Sequence, residues 1–236
     1  MIRDYHKWRS SRLDREMELL IFGAGGAPVV VFPTSGGRFF DFEDRGMVAA
    51  LAERIESGNL QLFCLDSVDS ESWYNHQAPG RSRIARHLQY EEYVLDEVLP
   101  LVRFSSGDHR PLALGCSFGG YHAANIVLRH PDLFRGFVSL SGVYDLAGFL
   151  DGYYDEDCFW NLPTHYLPRL EDRKWLAQLR QAHCILVSGW DDPCLEENRK
   201  LDDVLSQQGI EHQFHVWNGP HVHDWPTWQQ MVREYL

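Results

Sequence analysis

Positive charge is scarce in this sequence, and long apolar runs are absent. Lys and Arg number 22 against 34 Asp and Glu, so the formal net charge is −12. Because the basic residues are also scattered, we expect neither a nucleic-acid partner nor binding to an anionic membrane surface. No apolar run approaches the roughly 18 residues of a membrane span, and residues 1–7 are too polar to open a signal peptide.

Cysteine is also sparse. The five cysteines, at positions 64, 116, 158, 184 and 194, are odd in number and irregularly spaced. They therefore fit neither a disulfide framework nor the spacing of a zinc site, and a reducing cytoplasm is the simplest compartment. Hydrophobic residues make up 44% of the 236 residues and aromatic residues 13%, which is enough for a large core in one domain spanning 1–236.

Strand and helix signals alternate along the chain. Apolar runs predict strands at 18–22, 29–32, 60–65, 111–114, 136–140, 184–187 and 213–217. Helical patterns lie at 46–57, 83–102, 121–130, 195–208 and 224–235. This alternation predicts an α/β fold with a mostly parallel sheet and helices on both faces. The aromatic and acidic segment 145–182 fits a cap-like insertion over the carboxyl edge of the sheet.

One turn between a strand and a helix carries the pattern G-x-S-x-G. It reads Gly115-Cys116-Ser117-Phe118-Gly119. A sharp turn that holds a serine in a strained backbone conformation leaves no room for side chains at the two glycine positions. The sequence therefore predicts a nucleophile elbow that lifts the Ser117 hydroxyl above the edge of the sheet.

A serine nucleophile needs a base, and the base needs an orienting carboxylate. In this architecture the acid and the histidine follow late strands, in the order Ser, acid, His. Asp191 and Asp192 follow the strand at 184–187, and His221 and His223 follow the last strand. Spacing alone leaves both choices open. The aspartates could instead form a turn or cap a helix, and His221, His223 and Asp224 could hold a metal.

An oxyanion formed at the substrate would need backbone donors. The N–H of Phe118, directly after the nucleophile, is one candidate. The loop after the strand at 29–32 offers a second, at Ser35 or Gly36, because glycines let N–H groups turn toward a ligand.

Together these motifs resemble the putative-esterase branch of the α/β-hydrolase superfamily. The resemblance rests on the Pro-Thr-Ser-Gly-Gly loop, Gly-Cys-Ser-Phe-Gly-Gly-Tyr-His-Ala-Ala-Asn, Leu-Ser-Gly-Val-Tyr-Asp, Gly-Trp-Asp-Asp and the closing His-Asp-Trp-Pro-x-Trp, over about residues 15–236. That branch also contains S-formylglutathione hydrolases, siderophore esterases, feruloyl esterases and mycolyltransferases. The resemblance implies Asp192 as the acid, His223 as the base and a donor near Ser35. Pro33-Thr34 replaces the more usual His-Gly or Asp-Gly, which leaves that donor open between Ser35 and Gly36.

The resemblance implies hydrolysis of a small carboxylic ester or thioester through an acyl-enzyme, with no metal or organic cofactor. Candidates for the substrate pocket are Trp73 and Tyr74, and Tyr153 and Tyr154 of the insertion; these aromatic side chains could also only pack the insertion onto the core. Two alternatives are an acyltransferase that uses an alcohol or sugar acceptor and a noncatalytic binding protein of the same fold. The composition also permits a homodimer.

Overall fold

The computed structural model describes residues 1–219 and 222–236. Within these ranges the strands are β1 (Arg3–Ser10), β2 (Arg15–Phe22), β3 (Ala27–Phe32), β4 (Leu60–Leu65), β5 (Leu112–Cys116), β6 (Gly136–Leu140), β7 (His183–Gly189) and β8 (His212–Trp217). They form one sheet in the order β1-β2-β4-β3-β5-β6-β7-β8. β1 and β2 pair antiparallel, as do β2 and β4, and all the other pairs are parallel. The predicted mostly parallel sheet is therefore confirmed.

Helices cover both faces of this sheet. They are α1 (Asp41–Asp44), α2 (Met47–Ala50), α3 (Ala52–Glu56), α4 (Gly80–Tyr93), α5 (Leu99–Ser106), α6 (Phe118–Arg129), α7 (Glu156–Trp160), α8 (Pro163–Tyr166), α9 (Arg173–Leu179), α10 (Leu195–Gln207) and α11 (Trp225–Tyr235). None of the helices in the described ranges has both the length and the apolarity that crossing a membrane would require.

The two faces of the sheet hold separate apolar clusters. In β3, Val29 and Val31 pack with α1–α3 and α11 on one face, while Val30 and Phe32 pack with α4–α6, α9 and α10 on the other. Successive side chains of a strand point to opposite faces, so a strand covered on both sides must be apolar throughout. This requirement explains the continuous apolar runs of the central strands.

Three parts of the chain differ from the sequence predictions. The strand β1 was not predicted at all. The helix predicted over 46–57 is divided into short pieces, because Gly46 takes a left-handed conformation (φ 74°) before α2 and Leu51 leaves helical geometry (φ −105°) after it. The helix predicted over 83–102 extends from Gly80 to Ser106 and contains one π-helical turn, Val94–Val98.

The insertion at 145–182 consists of short helices with two different neighbours. Its first part packs Leu146, Leu150 and Cys158 against Phe118 at the start of α6, and so lies next to the carboxyl end of β5. Its second part, α9, packs on the face of the sheet that α6 and α10 cover. Only the first part is placed to shape a site beside Ser117.

Candidate active site

Ser117 occupies the sharp turn between β5 and α6. Its backbone has φ 54° and ψ −120°, a conformation that residues with a side chain rarely adopt. A Cβ on Gly115 would lie 2.1 Å from the carbonyl carbon of Gly119, and a Cβ on Gly119 would lie 2.5 Å from the carbonyl oxygen of Phe32. Both glycines are therefore required by close backbone approach, as the G-x-S-x-G pattern predicts.

Three polar side chains meet at the carboxyl edge of the sheet, after β5, β7 and β8. Nε2 of His223 lies 2.8 Å from Oγ of Ser117. Nδ1 of the same ring lies 3.1 Å from Oδ1 of Asp192. Asp191 is exposed and does not take part, while His221 lies outside the described residues. The structure thus brings together the serine, aspartate and histidine that the resemblance implies.

Asp192 is held as a carboxylate in a buried position, with only 5% of the residue exposed. Burial alone would raise its pKa, but the nearby donors of His223, the Ser141 hydroxyl and the backbone N–H of Cys194 outweigh that effect and leave the pKa below its usual value. An ionised carboxylate beside Nδ1 fixes the tautomer of His223 and leaves Nε2 free to accept a proton from Ser117.

Ser141 supports this arrangement, and the sequence analysis did not assign it a role. Its hydroxyl accepts a hydrogen bond from Nε1 of Trp228 at 2.9 Å, and it lowers the pKa of Asp192. Trp228 in turn packs edge-to-face on the His223 ring, with the ring centroids 4.9 Å apart. The only sequence signals were the Leu-Ser-Gly and Trp-Pro-x-Trp segments that carried the resemblance.

The backbone donors predicted for an oxyanion lie in two loops. Among the described residues, the N–H groups of Phe118, Ser35 and Gly36 have no hydrogen-bond acceptor. The early loop is held in shape by the N–H of Gly37, which donates to the carbonyl of Thr34 at 2.9 Å, and by the Thr34 hydroxyl, which donates to Asp41 at 2.9 Å. Both loops can therefore donate to a ligand without breaking an existing bond.

The four aromatic pocket candidates lie in different environments. The Tyr74 ring packs against the rings of Phe118 and Phe149, with centroids 5.0 Å and 5.2 Å apart. Burial raises the pKa of Tyr74, and the nearby Ser35 side chain partly offsets this effect. Trp73 is fully buried and packs on His87 and Tyr121, so it belongs to the core rather than to a pocket surface.

The two tyrosines of the insertion make bonds within the insertion. The hydroxyl of Tyr153 donates to Asp155, and the hydroxyl of Tyr154 lies 2.8 Å from Nδ1 of His165. Tyr74 is thus the candidate that lies beside both loops that carry the predicted oxyanion donors. Phe149, which packs beside it, was not anticipated.

One group of described residues offers ligand atoms that a metal could use. These atoms, on Asp192, Cys194 and His223, lie within 4.8 Å of one another. The two His223 nitrogens, however, already bond Ser117 and Asp192. Asp224, part of the alternative metal set, caps α11 by accepting from the N–H of Thr227 at 3.0 Å.

Comparison with protein families agrees with this geometry. The family model described as Putative esterase matches residues 10–235. The chain belongs to the putative-esterase family. No curated protein matches this esterase.

Solved structures share the fold of this esterase. A ferulic acid esterase superposes with a TM-score of 0.79 at 18% identity, over 100% of this chain and 96% of that chain. An S-formylglutathione hydrolase from Agrobacterium tumefaciens superposes with a TM-score of 0.70 at 15% identity, over 99% of this chain and 92% of that chain. FphF, a fluorophosphonate-binding serine hydrolase of Staphylococcus aureus, superposes with a TM-score of 0.69 at 18% identity, over 99% of this chain and 96% of that chain. At these identities the likeness shows the α/β-hydrolase fold, and family membership identifies the chain as a carboxylic ester hydrolase of the serine type.

Proposed function

We propose that this esterase cleaves a small carboxylic ester or thioester through an acyl-enzyme on Ser117, with His223 as general base and Asp192 as the orienting acid. The observation that carries the proposal is the 2.8 Å hydrogen bond between Oγ of Ser117 and Nε2 of His223. A serine hydroxyl is almost never ionised near neutral pH, so this contact is what makes Ser117 a nucleophile.

The two half-reactions use the same groups. Oγ of Ser117 attacks the carbonyl carbon while His223 takes the hydroxyl proton, and His223 then gives that proton to the departing alcohol or thiol. A water molecule next attacks the acyl-enzyme while His223 takes its proton, and that proton returns to Ser117 as the acid is released. Asp192 stays ionised throughout and stabilises the imidazolium.

The developing oxyanion needs donors in place before the reaction begins. The N–H of Phe118 and one N–H of the early loop, at Ser35 or Gly36, are the donors we propose, because none of the three has an acceptor among the described residues. A single donor of this kind is worth about 10²–10³-fold in kcat.

The acyl or leaving group would lie against Tyr74 and Phe149, which offer ring faces beside the start of α6. Relatives that include a ferulic acid esterase and an S-formylglutathione hydrolase make small esters and thioesters the compounds to test. We propose water as the acceptor of the acyl group, and product analysis with a competing alcohol tests this choice.

All five cysteines are free and buried, which suits a reducing cytoplasm. We propose the cytoplasm as the compartment, and cell fractionation can test this.

The proposal is tested by labelling the native protein with a fluorophosphonate and reading the intact mass. One adduct per chain is expected, located on Ser117 by peptide mapping. Ser117→Ala should abolish it, and His223→Ala should reduce the labelling rate by several orders of magnitude, because the serine loses its base.

His221→Ala is the matched control. If His223 is the base, the His221 variant labels at close to the rate of the unmodified protein. Loss of labelling in His221→Ala, with labelling retained in His223→Ala, would move the base to the other histidine. A folded protein without any adduct would contradict the nucleophile assignment.

A further inference from the structure

A cavity of about 510 Å³ opens at the edge of the sheet opposite the catalytic residues. Residues 26–28 at the beginning of β3 form one wall. Arg110 and Arg135, which precede β5 and β6, contribute the others, together with Ser106 and His109. These are the amino ends of parallel strands, whereas Ser117, Asp192 and His223 follow carboxyl ends, so the cavity is separate from the active site.

The cavity is basic although the protein is strongly acidic. None of the described residues that line it is acidic, while the whole chain has a formal net charge of −12. Neither Arg110 nor Arg135 has a carboxylate within ion-pair distance in the described part of the chain. Two guanidinium groups without counterions therefore share one concave surface.

Arg135 is the more unusual of the two. Its Nε is buried, and no acceptor lies within hydrogen-bonding distance in the ranges that the structure describes. Burial lowers its pKa, and no neighbouring anion opposes this effect. A guanidinium keeps its charge in a protein, so this partly buried cation lacks both an ionic partner and one hydrogen bond. Buried donors without partners call for an explanation such as a bound water or ion.

Capping of a helix does not account for these arginines. α5 ends at Ser106, and the unpaired carbonyl groups at the end of a helix favour a nearby cation, so an arginine here could serve only to cap α5. The bond found for Arg110, however, runs from Nη1 to the carbonyl of Pro131 at 3.3 Å, outside α5. The hydroxyl of Ser106 donates to Oε1 of Gln61 at 2.6 Å, which leaves its oxygen able to accept from a ligand or a water molecule.

We infer that this cavity binds a small phosphate-type oxyanion, either free or as the phosphate group of a phosphate monoester, between Arg110 and Arg135. The guanidinium fork matches phosphate oxygens with two parallel hydrogen bonds, and such charge-assisted bonds are stronger than neutral ones. The ligand would supply the negative charge that the guanidinium groups of Arg110 and Arg135 lack in this cavity. The cavity volume also leaves room for an organic group attached to the phosphate.

The direct readout is the Nε–H resonance of Arg135 in ¹H–¹⁵N spectra of the full-length protein. Inorganic phosphate and, separately, phenyl phosphate are titrated at constant ionic strength, with chloride as the balancing anion. A saturable shift of the Arg135 resonance is expected, assigned by its loss in Arg135→Gln. Tighter binding of phenyl phosphate would indicate a monoester as the ligand, and equal binding would indicate the free anion.

Arg110→Gln should weaken phosphate binding by about tenfold, the loss expected for about 1.4 kcal/mol. It removes an exposed side chain and so leaves the fold intact. Arg103→Gln is the matched control, because Arg103 is an exposed residue of α5 that does not line the cavity. An Arg135 resonance that does not move, or a shift that Arg110→Gln leaves unchanged, would overturn the inference.

The outcome does not depend on the proposed catalytic mechanism. The readout is a resonance rather than turnover, and Ser117→Ala should bind phosphate as the unmodified protein does. Arg110→Gln should keep the full esterase rate in phosphate-free buffer, because the cavity and the active site lie at opposite edges of the sheet.

Discussion

Replacing Gly119 by alanine should disable catalysis while leaving the three side chains that we propose as catalytic in the protein. The new Cβ would lie 2.5 Å from the carbonyl oxygen of Phe32 and 2.6 Å from that of Pro33. Both contacts are to backbone, so no side chain can turn aside. To reach an ordinary contact of 3.4 Å, the start of α6 and the end of β3 must separate by about 0.9 Å.

This separation acts on the oxyanion donors in particular. Phe118 begins α6, and the loop that carries Ser35 leaves the end of β3, so the shift pulls the two proposed donors apart. A misplacement of about 1 Å at a reacting centre costs about 10²-fold in rate, similar to the loss of one oxyanion donor. We therefore expect kcat to fall by about 10²-fold with little change in KM, because the donors act mainly in the transition state.

The assay is steady-state hydrolysis of p-nitrophenyl acetate, together with chemical denaturation to measure the free energy of unfolding. Overpacking of this kind costs about 1–3 kcal/mol, so the variant should remain folded. Gly25→Ala is the matched control, because nothing lies within 4 Å of a Cβ at that position. A folded Gly119→Ala protein with full kcat would refute the reasoning.

Three further variants test the supporting interactions. Asp192→Asn should lower kcat by about 10⁴-fold in the same assay, because the amide no longer holds the productive tautomer of His223; a loss under tenfold would contradict this role. Ser141→Ala should lower kcat by about tenfold at unchanged KM, since Trp228 loses its acceptor and Asp192 loses a nearby hydroxyl that lowers its pKa; unchanged kcat would make Ser141 merely structural. Glu91→Gln should lower the free energy of unfolding by about 3 kcal/mol at neutral pH, because His130 and Arg129 outweigh the effect of burial and bring the Glu91 pKa from 4.5 to about 2. The pKa is depressed in the folded protein, so this difference should shrink as the pH falls below about 4.5 and vanish near 2. Denaturation at several pH values measures it, with the exposed Glu92→Gln as control; a difference independent of pH would contradict the assignment.

The central strands were predictable because each is buried on both faces. Strand β1 was not, since its side chains are mostly exposed and its sequence, Arg-Asp-Tyr-His-Lys-Trp-Arg-Ser, is largely polar. What places it in the sheet is its pairing with β2, from Arg3 opposite Phe22 to Ser10 opposite Arg15. Pairing between strands is a property of two segments, and neither segment shows it alone.

Sequence can predict those parts of the candidate site that depend on neighbouring residues. The elbow around Ser117 is contained in five residues, and the order of acid and histidine follows from the order of the strands. The choice between Asp191 and Asp192 depends on which carboxylate lies beside the His223 ring, a contact between distant segments that no local pattern specifies. In the structure Asp192 lies there, and its role as the acid stays a proposal. Ser141 and Phe149 reach the site from the segment after β6, so no local pattern around Ser117 could have assigned them.

The conformation of Ser117 also has a consequence for stability. A residue with a side chain at φ 54° and ψ −120° is strained by about 1–3 kcal/mol, whether or not substrate is present. Glycine tolerates positive φ, so Ser117→Gly should unfold at a higher denaturant concentration than the unmodified protein while being inactive. Selection for stability alone would then remove the serine, and its retention would reflect selection for turnover.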